Sequence, residues 1–125
     1  MSKAIVITNS NELIRVPAER VVYISSGGNY SIMVLHDKTE YIVSMNLAEW
    51  ERLFDQQLRA EDNPFIRIGK QHIINREYIF KINLTKLKLV LADLALNHTF
   101  ELEASREALR QLKELLESEL KEEKA

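Results

Sequence analysis

Short apolar runs, each interrupted by residues typical of turns, dominate this sequence and restrict how it can fold. Ala4 to Thr8, Leu13 to Val16 and Arg20 to Ser25 are rich in Val and Ile, and Asn-Ser-Asn and Pro-Ala-Glu segments separate them. None of the runs carries an apolar stripe at helical spacing, whereas β-branched runs bounded by turn residues are typical of strands. The first part of the chain is therefore predicted to form strands.

Two chain reversals are predicted next. Gly27-Gly28-Asn29 consists of residues that tolerate positive φ, which predicts a turn or an exposed loop. Tyr30 to His36 and Thr39 to Ser44 then flank Asp37-Lys38, and this arrangement predicts a β-hairpin.

The first helix is predicted from its capping residues. Asn46 can accept from a free backbone amide while Glu49 reaches back to the Asn46 amide, and Met45 can pack on Trp50 as a hydrophobic staple. Glu61-Asp62-Asn63-Pro64 is expected to end this helix. The apolar stripe that should face the sheet consists of Leu47, Trp50, Phe54 and Leu58.

Strands are predicted again after Pro64. Phe65 to Ile68 should be extended, Gly69-Lys70-Gln71 should form a polar turn, and Ile73 and Ile74 should rejoin the core. Further on, apolar and basic residues alternate as in half-buried strands. These later β segments are Tyr78 to Leu84, Lys86 to Leu91, and Leu94 to Glu103, the last being one strand or two with Asn97-His98 as a turn.

The second helix is predicted to begin at Ser105, a good N-cap, with an apolar face of leucines. That face consists of Leu109, Leu112, Leu116 and Leu120. The order of elements is thus strands, helix, strands, helix, so the fold class is mainly β with minor α. No repeat or linker divides residues 1–125, which we expect to form a single domain.

Composition restricts the class of protein. Hydrophobic residues make up 46% of the chain and charged residues 29%, which suits a folded, soluble protein. No apolar run approaches the roughly 20 residues that a membrane-spanning helix needs. The chain has no cysteine, which excludes disulfides, thiolate metal sites and cysteine nucleophiles. We therefore expect a cytoplasmic protein that does not contact a membrane.

Charge is distributed unevenly along the chain. The net charge of −2 argues mildly against nucleic-acid binding, yet residues 63–92 contain six basic residues and one acidic residue. From residue 101 onward, eight acidic residues outnumber five basic ones and hide this basic segment in the average. Charge alone leaves two interpretations open, a binding patch or a solvated face of scattered lysines.

A family resemblance favours the binding patch. Phe65 to Asn75 resembles the most recognisable motif of LytTR domains, in which a phenylalanine, an arginine, a short polar turn, two aliphatic residues and an asparagine occur in this order. The similarity extends from about Val16 to Leu116. Four further segments resemble the family: Val22 to Ser31, Asn46 to Glu51, Glu77 to Ile82, and Ser105-Arg106.

The resemblance implies an elongated fold of three small, largely antiparallel β-sheets, a β-β-β sandwich with one helix in mid-chain and one at the C-terminus. It also implies a bacterial, response-regulator-like transcription factor in which loops, rather than a recognition helix, enter adjacent major grooves. No receiver domain or membrane segment is recognised in residues 1–125, so the input signal is expected to come from a separate signalling partner.

The resemblance, applied motif by motif, implies that Tyr30, Lys70 and Arg106 contact DNA bases. Asn29 and Gln71 lie beside them in the same turns and join the DNA-binding set. Asn75 is expected to be structural and to bond nearby backbone. The residues expected to position the phosphate backbone are Arg67, Arg76, Lys86 and Ser105.

Departures from the family pattern leave sequence specificity open. Many family members have histidine or another polar residue where Gly69 stands, serine where Gln71 stands and an aromatic residue where His72 stands. Gly69 removes one potential contact, and Gln71 could read adenine instead.

The predicted function is therefore sequence-specific binding to double-stranded DNA, with two copies side by side on repeated sites, as a possible homodimer on DNA. A protein-interaction module that keeps the LytTR fold without DNA binding is the main alternative. An enzyme using the three histidines is a weaker one, because His36, His72 and His98 do not have the spacing of a metal motif. We expect no enzymatic activity, no metal and no cofactor.

Overall fold

The computed structural model describes residues 3–124 of the 125-residue chain. The chain divides into two compact units, Met1–Glu77 and Tyr78–Ala125. Both units are built from antiparallel sheets, and each carries one helix. The fold is thus mainly β with three small antiparallel sheets and two helices, as predicted.

The first unit holds two sheets. One pairs β1 with β2, and the other has five antiparallel strands in the order β5-β4-β3-β7-β6. The strands of this unit are β1 (Ala4–Thr8), β2 (Leu13–Pro17), β3 (Val21–Ser26), β4 (Ser31–Leu35), β5 (Glu40–Val43), β6 (Phe65–Ile68) and β7 (His72–Asn75). They match the predicted runs to within one or two residues. The hairpin between β4 and β5 needs four loop residues rather than two, and Lys38 in it has a φ of 73°.

The helix of the first unit, α1 (Leu47–Gln57), begins with the predicted capping box. The Glu49 amide donates to Asn46 Oδ1 over 2.9 Å, and the Asn46 amide donates to Glu49 Oε1 over 3.1 Å. The helix ends before Glu61-Asp62-Asn63-Pro64, where its end was expected. Leu58 is already extended (φ −119°, ψ 141°), and its side chain is buried. The predicted apolar stripe thus extends one residue beyond the end of the helix.

An aromatic cluster lies at the centre of the first core. Trp50 is fully buried, and the ring of Phe54 stacks on that of Phe65 with centroids 4.1 Å apart. All four residues of the predicted stripe belong to this core, and Met45 packs against it as the staple requires. The isoleucines Ile5, Ile24 and Ile73 fill the core from three different strands.

The second unit is a three-stranded antiparallel sheet in the order β10-β9-β8, with one helix. Its elements are β8 (Ile79–Asn83), β9 (Lys88–Asp93), β10 (His98–Glu103) and α2 (Arg106–Lys124). Lys86 lies in the β8–β9 turn rather than in a strand. The segment from Leu94 to Glu103 forms a single strand after a turn in which Asn97 has a φ of 57°.

The apolar face of α2 is buried along only part of its length. Leu109 and Leu112 are buried, Leu116 is half-buried, and Leu120 is 56% exposed. Between residues 3 and 124, no helix combines the length and apolar character needed to cross a membrane.

Candidate nucleic-acid interface

The β3–β4 loop presents two of the predicted contact residues. Gly28 has a φ of 89°, which favours glycine, and the Gly27 amide donates to the Tyr30 carbonyl over 2.8 Å, closing the loop. Asn29 is exposed and Tyr30 is 46% exposed. The loop is therefore a tight reversal that projects both side chains into solvent.

The β6–β7 turn presents two further predicted contact residues, Lys70 and Gln71. Gly69 has a φ of 58°, and the strands on either side pair with Ile68 opposite His72. Lys70 and Gln71 are both exposed, and within residues 3–124 the Lys70 ammonium has neither a hydrogen-bond partner nor an ion-pair partner. A positive charge thus stands uncompensated at the tip of this turn.

The sheet brings these two loops together. β3 and β7 are antiparallel neighbours with Ser25 opposite His72, so the end of β3 and the start of β7 lie at the same end of the sheet. The Ser26 amide donates to the Gln71 carbonyl over 2.8 Å, which joins the loops directly. Asn29, Tyr30, Lys70 and Gln71 therefore lie on two connected loops, which we call the reading tip.

Buried groups immediately beneath support the reading tip. Ser31, the residue after Tyr30, is fully buried, and its hydroxyl accepts a hydrogen bond of 2.6 Å from Trp50 Nε1. The ring of His72, the residue after Gln71, meets the ring of Tyr23 edge-on at 6.2 Å. Burial lowers the pKa of His72, and burial, followed by the nearby Glu40 carboxylate, raises the pKa of Tyr23. Both groups are thus held towards their neutral forms.

Arg106 belongs to the second unit, where it is the first residue of α2. Ser105 caps this helix as predicted, since its hydroxyl accepts from the Ala108 amide over 3.1 Å. The Arg106 side chain is exposed and has no hydrogen bond or ion pair to any residue within 3–124. A free guanidinium therefore stands at the start of a capped helix.

The remaining basic candidates lie outside the reading tip. Arg67, in mid-β6, donates to Glu51 Oε1 over 2.7 Å, which ties it to α1. Arg76 follows β7 at the end opposite Lys70 and lines a surface depression with Asp62 and Glu77. Lys86 is exposed in the β8–β9 turn of the second unit. The structure thus brings together the predicted base-contact residues of the first unit but not the two arginines predicted to position phosphates, Arg67 and Arg76.

Asn75 has the structural role that was predicted. It is fully buried; its Nδ2 donates to the Val21 carbonyl and its Oδ1 accepts from the Glu77 amide, both over 2.9 Å. No group of three or more His, Asp or Glu residues with the geometry of a metal site occurs among residues 3–124.

Gly27 has a role that the sequence did not predict. The turn expected at Gly27-Gly28-Asn29 forms, but of the two glycines only Gly28 has positive φ. Gly27 instead lies against the ring of Tyr30, so close that a Cβ at this position would collide with it. Adjacent glycines look alike in a sequence, and only the side chain packed on them distinguishes their roles.

Comparison with known proteins places this geometry in a family. The model of the LytTr DNA-binding domain matches residues 11–117. Among solved structures, the LytTr DNA-binding domain of a Bacillus cereus protein superposes with a TM-score of 0.60 at 19% identity, covering 93% of this chain and 98% of that one. No curated protein matches. Because the family model covers most of the sequence, including both loops of the reading tip and the start of α2, the chain belongs to the LytTr DNA-binding domain family.

Proposed function

We propose that this chain is a sequence-specific transcriptional regulator that reads adjacent major grooves of double-stranded DNA through its loops. The main support for this proposal is the hydrogen bond from the Ser26 amide to the Gln71 carbonyl. It holds side by side two loops that are distant in sequence, so their side chains form one surface. In this proposal both units act together as one DNA-binding domain. Family membership supports DNA binding in general.

The side chains of the reading tip have the chemistry that base recognition needs. An amide such as that of Asn29 or Gln71 can pair with the N6 and N7 atoms of adenine, and Lys70 can donate to guanine or to a phosphate. The Tyr30 hydroxyl makes no hydrogen bond to residues 3–124 and is available to a base. Four neighbouring side chains thus offer donors and acceptors that no other residue between 3 and 124 uses.

Arg106 contributes the third contact. A cation in the first turn of a helix is opposed by the helix dipole, which costs about 0.3–1 kcal/mol. The exposed Arg106 side chain has no compensating partner within the described chain, so its position is not explained by stability. Two of the N–H donors of its guanidinium can instead pair with N7 and O6 of guanine.

Phosphate contacts and a second copy complete the proposal. In this scheme, the phosphate backbone of the DNA is positioned by Arg67, Arg76, Lys86 and Ser105. A single module with so few base contacts discriminates weakly against nonspecific DNA, so two copies bind side by side on repeated sites. A separate signalling partner supplies the input.

The first experiment compares two turn lysines at opposite ends of the five-stranded sheet. Lys70→Gln removes the charge of the reading tip, whereas Lys38→Gln removes a charge from the β4–β5 loop, which follows the far end of β4. Binding to a site selected from random duplexes is measured at several salt concentrations. If Lys70 contacts a phosphate, its loss should reduce the steepness of the plot of log binding constant against log salt concentration by about 1. If it reads guanine, discrimination between the selected site and random DNA should fall by about 1–3 kcal/mol. Lys38→Gln should change neither.

The second experiment replaces Arg106 by alanine. Discrimination between the selected site and random DNA should fall by about 1–3 kcal/mol while the free energy of unfolding stays the same or rises slightly. Unchanged sequence preference would remove Arg106 from the reading residues. If the unmodified chain binds no duplex at low salt, the alternative of a protein-interaction module that keeps the LytTR fold replaces this proposal.

A further inference from the structure

The Tyr30 ring rests on the backbone of Gly27. A Cβ built on Gly27 would lie 2.5 Å from Tyr30 Cζ and 2.9 Å from Tyr30 Cδ2. Carbon atoms in contact are normally about 3.5–4.0 Å apart, so no side chain larger than hydrogen fits beneath the ring in this position. The absence of a side chain at Gly27 therefore allows the ring to lie where it does.

Backbone conformation does not require glycine at this position. Positive φ among the described glycines occurs at Gly28 and Gly69, not at Gly27. A Cβ on Gly28, by contrast, would meet nothing within 4 Å. The two adjacent glycines thus differ in function: Gly28 allows the turn, and Gly27 makes room for the ring.

The backbone on both sides of the Tyr30 side chain is held in place. The Gly27 amide donates to the Tyr30 carbonyl over 2.8 Å, and Ser31 is anchored in the core by Trp50. The Tyr30 side chain nevertheless remains 46% exposed. It is thus an aromatic side chain with one face on the protein and a hydroxyl left for a partner.

We propose that Gly27 is a positioning residue that holds Tyr30 in the orientation that reads a DNA base. This rests on the proposed function, because it needs Tyr30 to contact DNA. A tyrosine orientated before binding loses less side-chain freedom on the DNA, which favours binding to the site over random sequence.

Gly27→Ala and Tyr30→Ala, alone and together, test the proposal. Tyr30→Ala should reduce discrimination between the selected site and random DNA about fivefold or more, as for the loss of one base contact. Gly27→Ala should cause a comparable loss and should increase the nitration of Tyr30 by tetranitromethane, read by mass spectrometry. In the Tyr30→Ala background, Gly27→Ala should have no further effect on DNA binding.

Stability measurements keep the test informative if Gly27→Ala folds poorly. Removing the ring removes the clash, so the double variant should unfold at a urea concentration no lower than that of Tyr30→Ala. A destabilisation that persists in the double variant overturns the proposal. The proposal is also overturned if Tyr30→Ala loses discrimination between the selected site and random DNA but Gly27→Ala does not. That outcome leaves the proposed function standing. If Tyr30→Ala discriminates as well as the unmodified chain, both the positioning role of Gly27 and the role of Tyr30 as a DNA contact are overturned.

Discussion

The two units of the molecule hold their candidate contact residues by different means. In the first unit, the reading tip stands on a core in which Trp50 is fully buried and hydrogen-bonded to Ser31. In the second unit, Arg106 stands on the first turn of α2, and the hydrogen bond that organises this turn joins Ser105 to Ala108, three residues away.

The difference is one between long-range and local support. The reading tip depends on strands that are distant in sequence, because the Ser26–Gln71 hydrogen bond spans 45 residues. The Arg106 turn depends on its own neighbours. Changes in the buried core beneath the reading tip should therefore cost more stability than changes at exposed positions of α2.

The largest expected effect is on the aromatic core. Phe54→Ala removes a ring that is 2% exposed and stacked on Phe65, and it should lower the free energy of unfolding by about 3–5 kcal/mol. Leu120→Ala, at a position that is 56% exposed, is the control and should change it by less than about 0.5 kcal/mol. Urea denaturation measures both, and equal losses would contradict the contrast between the buried core of the first unit and the exposed end of α2.

A smaller effect is expected from the buried amide. Asn75→Ala leaves the Val21 carbonyl and the Glu77 amide without their partner, which should cost about 1–3 kcal/mol of stability. Asn29→Ala is the matched control, because Asn29 is exposed and bonds to no residue between 3 and 124. An Asn75 variant as stable as the Asn29 variant would show that this network does not hold the first unit together.

Loss of the cap should affect α2 by a similar or smaller amount. Ser105→Ala removes the acceptor of the Ala108 amide and should cost about 1 kcal/mol. Ser118→Ala, on an exposed position within the same helix, should be neutral or slightly stabilising because alanine favours helix. Amide hydrogen exchange in the first turn of α2 distinguishes the two variants, and equal protection would mean that local capping is not what orders Arg106.

The smallest effect concerns pH. Burial holds the pKa of His72 below its ordinary 6.5, so the unfolded chain binds a proton before the folded chain does as pH falls. This contribution to stability is complete above pH 6.5 and is lost progressively as pH falls towards the folded pKa. Unfolding of the unmodified chain and His72→Gln, followed from pH 8 to 5, should show a steeper decline for the unmodified chain. Parallel curves would contradict the role assigned to burial.

Local features of the sequence were sufficient to predict most elements. The capping box of Asn46 and Glu49, the cap at Ser105 and the apolar runs of the strands depend on residues close to one another in the chain. Such interactions act over one or two turns or one strand, so they can be recognised without knowing the fold. The family motif likewise pointed to Asn75 as a structural residue, but gave no geometry.

Element ends were less predictable than the elements themselves. The helix α1 ends before Glu61-Asp62-Asn63-Pro64, as expected, but the apolar stripe did not show that its last member, Leu58, is extended rather than helical. The leucine stripe of α2 likewise gives no sign that Leu109 is buried whereas Leu120 is exposed. Periodicity shows which face is apolar but not how much of that face is covered.

By itself, the sequence determined the strands, both helix starts and the exposed turns that carry Asn29, Tyr30, Lys70, Gln71 and Arg106. Only the tertiary structure decided that β3 pairs with β7, which joins two of those turns, and that Gly27 lies beneath Tyr30. The physical reason is that turns and caps are stabilised by neighbouring residues, whereas strand pairing depends on burying surface shared by distant parts of the chain.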